Sequence, residues 1–195
     1  MNPRLFLVAV VLVIADQATK FLVQSFIAEN SLIEILPVVN FTYVINRGAA
    51  FSMLAHLPYA NYIFMPIAFI ATIAIGYWLY FHGHKEPRIN QYAMLLIMAG
   101  ACGNLIDRVR FGYVIDFIAV HYNDWHYPSF NIADSSITIG ALLLFIGIFQ
   151  VSRYAQENAQ TDGKNKVAKI TSGKKASGEN KVTKVTSNKN ASTKK

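Results

Sequence analysis

The chain has 195 residues, of which 53% are hydrophobic and only 15% are charged, whereas a soluble domain is usually about 25% charged. The net charge of +7 comes from residues 153–195, which carry 11 Lys or Arg and three acidic residues and so leave residues 1–152 at −1. An ordinary soluble domain is therefore excluded, and nucleic-acid binding by the folded part is not expected.

Four apolar stretches predict membrane-spanning helices. They are residues 5–28, 57–81, 89–106 and 135–152. The last three contain no Asp, Glu, Lys or Arg, and the first contains only Asp16 and Lys20. Each stretch is long enough to cross about 30 Å of hydrocarbon as a helix. We therefore predict an all-α integral membrane protein with four transmembrane helices, formed by residues 1–152.

Positive charges in the short connections set the orientation of these helices. The connection between the second and third spans carries Lys85 and Arg88, and the C-terminal residues are rich in Lys. Both termini are therefore expected in the cytoplasm. The connections over residues 29–60 and 107–131 are then expected on the outer face.

Asp16 and Lys20 lie four residues apart in the first span and share one helix face. An ion pair lowers the cost of burying either charge in a membrane. The favoured interpretation is structural, with Lys20 extending outward to the interface and Asp16 capping or bracing a neighbouring helix. Direct contact with a substrate is the alternative.

The first outer connection is predicted to have its own structure. Residues 39–45 are dense in aromatic and β-branched side chains, which is typical of a short strand or hairpin on the membrane surface. Asn46-Arg47-Gly48 predicts a turn, and residues 49–54 predict a short interfacial helix. This platform would present backbone groups to an extended peptide.

Asn104, Asp107 and Arg108 share one face at the end of the third span. Asp107 is a rival candidate for a catalytic carboxylate. However, the neighbouring Arg108 and Arg110 would hold it ionised and unable to donate a proton. We therefore expect Asp107 to organise the site, and Asn104 and Arg108 to hold substrate carbonyls.

Two aspartates flank the connection between the third and fourth spans: Asp116 in Gly-Tyr-Val-Ile-Asp-Phe and Asp134 in Phe-Asn-Ile-Ala-Asp-Ser. Both are expected at the same membrane face, where a hydrophobic rim would raise one pKa and leave the other acid ionised. Such a pair can activate water against an amide bond. Alone, Asp134 or Asn131 would be interpreted as a helix cap; beside Asp116, the catalytic interpretation is favoured.

His121, Asp124 and His126 raise the alternative of a metal site. No helix-borne His-x-x-x-His or Cys pair completes such a site. The nearby aromatic residues are instead typical of a belt that contacts lipid headgroups. No metal and no cofactor are predicted.

Five motifs occur in order over residues 1–152. They are Asp16-Gln17-Ala18-Thr19-Lys20, Asn46-Arg47-Gly48-Ala49-Ala50-Phe51-Ser52, Gly103-Asn104-Leu105-Ile106-Asp107-Arg108, Gly112-Tyr113-Val114-Ile115-Asp116-Phe117 and Phe130-Asn131-Ile132-Ala133-Asp134-Ser135. Together they resemble the lipoprotein signal peptidases, or signal peptidase II family. The resemblance implies an aspartyl endopeptidase of the bacterial inner membrane, with a small extracytoplasmic β-sheet and a site near the periplasmic face.

The resemblance also implies a substrate and residue roles. The substrate would be a prolipoprotein carrying diacylglycerol on the cysteine that follows the cleavage point, and the catalytic pair would be Asp116 and Asp134. The residues implied to line the substrate pocket are Asn46, Gly48, Asn104, Arg108 and Asn131. Supporting positions are implied for Asp16 and Lys20, beside Asp107.

Two other functions fit a polar layer at one membrane face less well. A transporter or proton relay needs ionisable groups spread across membrane depth, whereas here they gather near the outer face. A lipid-modifying transferase would consume a phospholipid without cutting a peptide.

The partners expected are the lipid-modified substrate and membrane lipids, with the protein itself a monomer. Residues 153–195 are polar, Lys-rich and poor in aromatic side chains, so they are predicted to be a disordered cytoplasmic tail. Attraction of this tail to anionic lipid is the functional alternative to a merely solvated segment.

Overall fold

The computed structural model describes residues 3–48 and 59–150, which form four helices and four strands. The helices are α1 (Pro3–Phe26), α2 (Ala60–His82), α3 (Arg88–Phe111) and α4 (Ile132–Gln150). The strands are β1 (Leu32–Leu36), β2 (Val39–Asn46), β3 (Val114–Tyr122) and β4 (Trp125–Phe130), and a 3-10 turn, Gly83–Lys85, follows α2. Met1–Gly147 forms one compact unit; of the second, Ile148–Lys195, the described residues 148–150 are helical.

The prediction of four membrane-spanning helices is confirmed. Each helix of the described part is long and apolar enough to cross a membrane. Large apolar side chains lie exposed on the helices, as expected for surfaces that face lipid rather than water. Examples are Phe6, Leu7, Phe21, Ile70 and Leu142. A smaller buried cluster packs inside the bundle, formed by Leu5, Ala9, Leu79, Leu95 and Ala99.

Helix α3 extends beyond its predicted end at residue 106. It continues to Phe111, so Asp107 and Arg108 lie on the same helix as Asn104, as their predicted shared face requires. The helix ends at Gly112, which has a left-handed φ of 79° and donates its N–H to the carbonyl of Arg108. Glycine adopts this conformation without the steric cost that a side chain would add.

Glycines allow the backbones of α3 and α4 to approach closely. A Cβ atom added at Gly100 would collide with the carbonyl oxygen of Ala133. A Cβ atom added at Gly140 would lie 2.7 Å from the carbonyl oxygen of Ala93. Small residues at such crossings are typical of helix packing in membranes. The close crossing fixes the start of α4 against α3.

Residues 32–46 and 114–130, from the two predicted outer connections, form one antiparallel sheet with the strand order β1–β2–β3–β4. The strand predicted at residues 39–45 is β2, and the sequence did not predict β1, β3 or β4. In the register of β2 with β3, Asn46 pairs with Val114 and Val44 pairs with Asp116. The sheet therefore places the end of β2 beside Asp116.

The predicted turn after β2 is closed by a side chain. Gly48 donates its N–H to Oδ1 of Asn46 at 2.9 Å, a turn geometry that Asn favours. The predicted interfacial helix at residues 49–54 and the predicted tail at residues 153–195 lie outside the described residues.

Candidate active site

A cavity of about 620 Å³ lies where the sheet meets helices α2, α3 and α4. Its polar lining includes Asn46, Asn104, Arg108, Asp116 and Asp134. Its apolar lining comes from the spans and includes Phe64, Ile67, Ala71, Ile97 and Ile137. A few convergent polar groups on apolar walls, at this volume, are typical of ligand sites.

Asp116 lies on β3 and is only 2% exposed. Its carboxylate accepts a 2.8 Å hydrogen bond from Nδ2 of Asn46 and another of 2.8 Å from Nδ2 of Asn131. Burial raises the pKa of Asp116 to about 7, and the nearby charge of Asp134 acts in the same direction. The two amides and the charge of Lys20 oppose this rise in pKa. This carboxyl therefore exchanges its proton near neutral pH.

Asp134 lies in the first turn of α4 and forms a reciprocal cap with Asn131. Asp134 donates its N–H to Oδ1 of Asn131 at 2.9 Å, and Asn131 donates its N–H to Oδ2 of Asp134 at 3.3 Å. This is the capping-box arrangement at a helix start. The other carboxylate oxygen, Oδ1, accepts a 2.8 Å hydrogen bond from Nδ2 of Asn104. The carboxylate of Asp134 therefore both caps the start of α4 and lines the cavity, so these two interpretations do not exclude each other.

Asn131 is completely buried and contacts both aspartates. Its Oδ1 makes the cap described above. Its Nδ2 lies 2.8 Å from Oδ1 of Asp116, 3.1 Å from the carbonyl of Ile115 and 3.3 Å from Oδ1 of Asn104. The structure therefore brings the two acids into one hydrogen-bonded group that faces the cavity.

A contact between Arg108 and Gly48 connects helix α3 to the turn after β2. Nη2 of Arg108 donates a 3.0 Å hydrogen bond to the carbonyl of Gly48, and its guanidinium lies 5.9 Å from the ring centre of Phe64. All five predicted substrate-binding residues thus either line the cavity or contact a residue that does.

Three charged residues form a buried group beside the cavity: Asp16, Lys20 and Asp107, each 1–2% exposed. Nζ of Lys20 lies 2.8 Å from Oδ2 of Asp16 and 2.8 Å from Oδ2 of Asp107. The prediction that Lys20 extends outward to the interface is wrong, because these acceptors lie inside the bundle. Asp16 does brace a neighbouring helix, since its Oδ1 accepts the N–H of Ala133 on α4 at 2.9 Å.

Gln17 belongs to the same buried group, although no role was predicted for it from the sequence. Its Nε2 donates to Oδ1 of Asp107 at 2.8 Å and to the carbonyl of Gly103 at 3.1 Å. The available signal was its position inside the Asp16–Lys20 motif, on the helix face next to Asp16.

His121 and His126 stack in the β3–β4 hairpin with ring centres 5.8 Å apart. Nδ1 of His126 contacts the backbone carbonyl of Asp124 rather than its carboxylate. Among residues 3–48 and 59–150, no three His, Cys, Asp or Glu side chains are placed to hold a metal ion.

The helices and this site define a multi-pass membrane protein with a polar cavity at one end of its spans. The chain belongs to the signal peptidase II family, because the family model described as "Signal peptidase (SPase) II" matches residues 8–150. Members of this family are proteases.

Curated relatives of this chain are named lipoprotein signal peptidases. The chain is 39% identical to the lipoprotein signal peptidase of Acinetobacter baylyi over 153 residues, which covers 78% of this chain and 85% of the relative. It is 41% identical to the lipoprotein signal peptidase of Burkholderia thailandensis over 138 residues, which covers 70% and 82%.

Solved structures with the same architecture are described as bacterial membrane enzymes. One superposes with a TM-score of 0.67 at 35% identity and covers 78% of this chain and 91% of its own. A second has a TM-score of 0.66 at 36% identity and covers 76% and 94%.

Proposed function

We propose that this protein is an aspartyl endopeptidase that removes the signal peptide from diacylglyceryl-modified prolipoproteins, cutting before the lipidated cysteine. Asp116 and Asp134 are the catalytic pair. The observation that carries the proposal is that these two carboxyls share one cavity and one partner, Asn131. The raised pKa of Asp116, about 7, supports a pair that holds one proton at neutral pH.

Hydrolysis then needs no covalent intermediate. The ionised aspartate takes a proton from a water molecule, whose oxygen attacks the carbonyl carbon of the scissile peptide bond. The protonated aspartate hydrogen-bonds the carbonyl oxygen. When the tetrahedral intermediate collapses, the C–N bond breaks and a proton passes to the leaving amine of the lipidated cysteine. Each proton transfer of this kind contributes about 10²–10⁴-fold to the rate.

Five polar residues hold the substrate in this proposal: Asn46, Gly48, Asn104, Arg108 and Asn131. Asn104 and Arg108 line the cavity beside Asp134 and would stabilise the developing oxyanion. The apolar walls from the spans suit a lipidated substrate, because its acyl chains can stay among apolar side chains while the peptide reaches the acids.

The proposal includes a location and an orientation in the membrane. We place the protein in the inner membrane as a monomer, with both termini in the cytoplasm and the cavity near the periplasmic face. Lys85 and Arg88, at the end of the bundle opposite the sheet, support this orientation.

The test is cleavage of a diacylglyceryl-modified prolipoprotein by the purified protein. Asp116→Asn and Asp134→Asn are each expected to lower kcat by about 10³-fold or more, because either change removes a proton-transfer group. Asp107→Asn is expected to retain measurable cleavage. Asp124→Asn, an exposed acid in the β3–β4 turn, is the matched control and should cut like the wild type.

Thermal unfolding in detergent shows whether each variant is folded. If folded Asp116→Asn still cuts while folded Asp107→Asn is inactive, the catalytic pair is misassigned. If the wild type consumes phospholipid and cuts no peptide, a transferase replaces the protease.

A further inference from the structure

The residue that precedes each proposed catalytic aspartate is held by a buried carboxylate. The N–H of Ile115, just before Asp116, donates to Oδ2 of Asp107 at 3.3 Å. The N–H of Ala133, just before Asp134, donates to Oδ1 of Asp16 at 2.9 Å. Two unconnected elements, β3 and α4, are thus anchored in the same way.

The two anchoring carboxylates are themselves joined. Nζ of Lys20 lies 2.8 Å from both Asp16 and Asp107. Gln17 joins the same pair, with its Nε2 3.3 Å from Oδ2 of Asp16 and 2.8 Å from Oδ1 of Asp107. A Cβ atom at Gly103 would lie 2.6 Å from Oδ2 of Asp16, so this arrangement also needs the glycine.

We propose that Lys20 is a positioning residue, and that the cluster of Asp16, Lys20 and Asp107 is a clamp that fixes the separation of the two catalytic carboxyls. The proposal rests on the proposed function. Lys20 ties together the two carboxylates that hold the chain before Asp116 and before Asp134. A loose clamp would leave both acids present but misplaced for attack on one peptide bond.

Lys20 also orients a side chain that contacts the catalytic pair. An ammonium group donates hydrogen bonds and cannot accept them. Its 3.1 Å contact with Asn104 therefore requires that the Asn104 oxygen face Lys20. The Asn104 amide nitrogen then faces Asp134, to which it donates at 2.8 Å.

Because Lys20 is charged, its loss should change the pH dependence of activity, which the loss of a purely structural residue would leave unchanged. The acids around it are Asp16 on its own helix, Asp107 on α3, Asp116 on β3 and Asp134 on α4. Arg108 on α3 adds a second positive charge near the last three of these acids. The positive charge of Lys20 opposes the rise in the pKa of Asp116. Without it, the catalytic pair should keep its shared proton to higher pH.

Three variants of the full chain test the clamp. Lys20→Met removes both the bridge and its charge. The double variant Asp16→Asn/Lys20→Met removes the bridge but leaves the three-residue cluster at the wild-type net charge of −1, with an oxygen still available to the N–H of Ala133. The matched control is Gln24→Met, one turn further along α1, whose amide donates to the hydroxyl of Tyr43 at 3.4 Å, outside the clamp.

Lys20→Met is expected to lower kcat by about 10²-fold with KM changed by less than about threefold, since misplacement of reacting groups costs about that much. Its alkaline limb of activity should move to higher pH. The double variant should lose kcat similarly, with a smaller shift of the limb. Gln24→Met should retain the wild-type kcat.

The clamp is overturned if folded Lys20→Met keeps the kcat and the pH profile of the wild type. If the Lys20 variants do not fold, Gln17→Leu decides, because it removes the second bridge and keeps both ion pairs. A severalfold lower kcat at unchanged KM supports the clamp, and an unchanged kcat overturns it. Failure of the proposed function is distinguishable, because then the wild type itself would cut no substrate.

Discussion

Asp116 is held between opposing influences on its protonation. Burial and the charge of Asp134 raise its pKa to about 7, and hydrogen bonds from Asn46 and Asn131 limit the rise. At the scale of a single residue, the protein thus adjusts an acid with an ordinary pKa of 3.8 so that it exchanges a proton under physiological conditions. Substituting Asn46 would remove one of the hydrogen bonds that lower the pKa of Asp116.

Asn46→Ala is expected to shift the alkaline limb of the kcat–pH profile to higher pH. The limb marks loss of the shared proton, and the Asn46 hydrogen bond favours the ionised form of Asp116. Removing the bond raises the pKa, so the proton is retained to higher pH. A limb that stays near pH 7 or moves to lower pH contradicts this account. Asp124→Asn, in the exposed hairpin turn, serves as the control.

The same raised pKa predicts how stability depends on pH. Between about pH 4 and pH 7, Asp116 is protonated in the folded protein but ionised in the unfolded chain. The free energy of unfolding should therefore fall as pH rises through this window. Chemical unfolding of wild type and Asp116→Asn at several pH values tests this. The variant should show a smaller fall, and equal slopes would argue against it.

At the scale of elements, the crossing of α3 and α4 determines where Asp134 lies. Gly100 packs against the backbone of Ala133, the residue before Asp134, so no side chain fits between the two helices there. By contrast, a Cβ atom at Gly76 on α2 would find only the sulfur of Met98 at 3.5 Å, an ordinary contact. The two glycines therefore form a matched pair.

Gly100→Ala is expected to lower the unfolding temperature and to reduce kcat, because it pushes the start of α4 away from α3. Gly76→Ala should be neutral or slightly stabilising, since alanine favours a helix over glycine by about 1 kcal/mol. Thermal unfolding and cleavage assays on both variants provide the measurement. Equal behaviour of the two variants would contradict the close crossing.

The sequence predicted the helices better than the sheet. Apolar runs without charge identify membrane spans because hydrocarbon does not tolerate unpaired charges. Strands β1 and β3 were not predicted, because all of β1 is exposed and β3 carries Asp116 within an apolar run. The strand order is set by pairing between distant segments, which no local pattern encodes.

Several polar residues named from the sequence line the cavity, but most of their contacts with one another were not predicted. Asn131 and Asp134 were recognised as helix-start residues, yet their reciprocal cap and the bonds to Asp116 and Asn104 depend on how β3 meets α4. Lys20 was placed wrongly because its second partner, Asp107, is on another helix. The sequence indicated which residue types form the polar group, but it did not predict which of them contact one another across the bundle.

At the scale of the whole molecule, the two sides of the membrane should be chemically distinguishable. In a Cys102→Ser background, Asp124→Cys is expected to react with a membrane-impermeant maleimide in intact spheroplasts. Lys85→Cys should react only after permeabilisation, if its positive loop lies in the cytoplasm as we propose. Both positions are exposed in the structure. The opposite labelling pattern would invert the topology and put the cavity on the cytoplasmic side.

The spacing of Asp16 and Lys20 also bears on how the chain is made. Helix α1 is synthesised first, and Asp107 emerges from the ribosome on the order of ten seconds later at ordinary elongation rates. During that interval Lys20 has no partner from α3. Asp16, one turn away and 2.8 Å from the ammonium in the finished fold, can neutralise it within the same helix. The nascent first span thus brings its own temporary counter-ion into the lipid, and later shares that ion when the third span arrives.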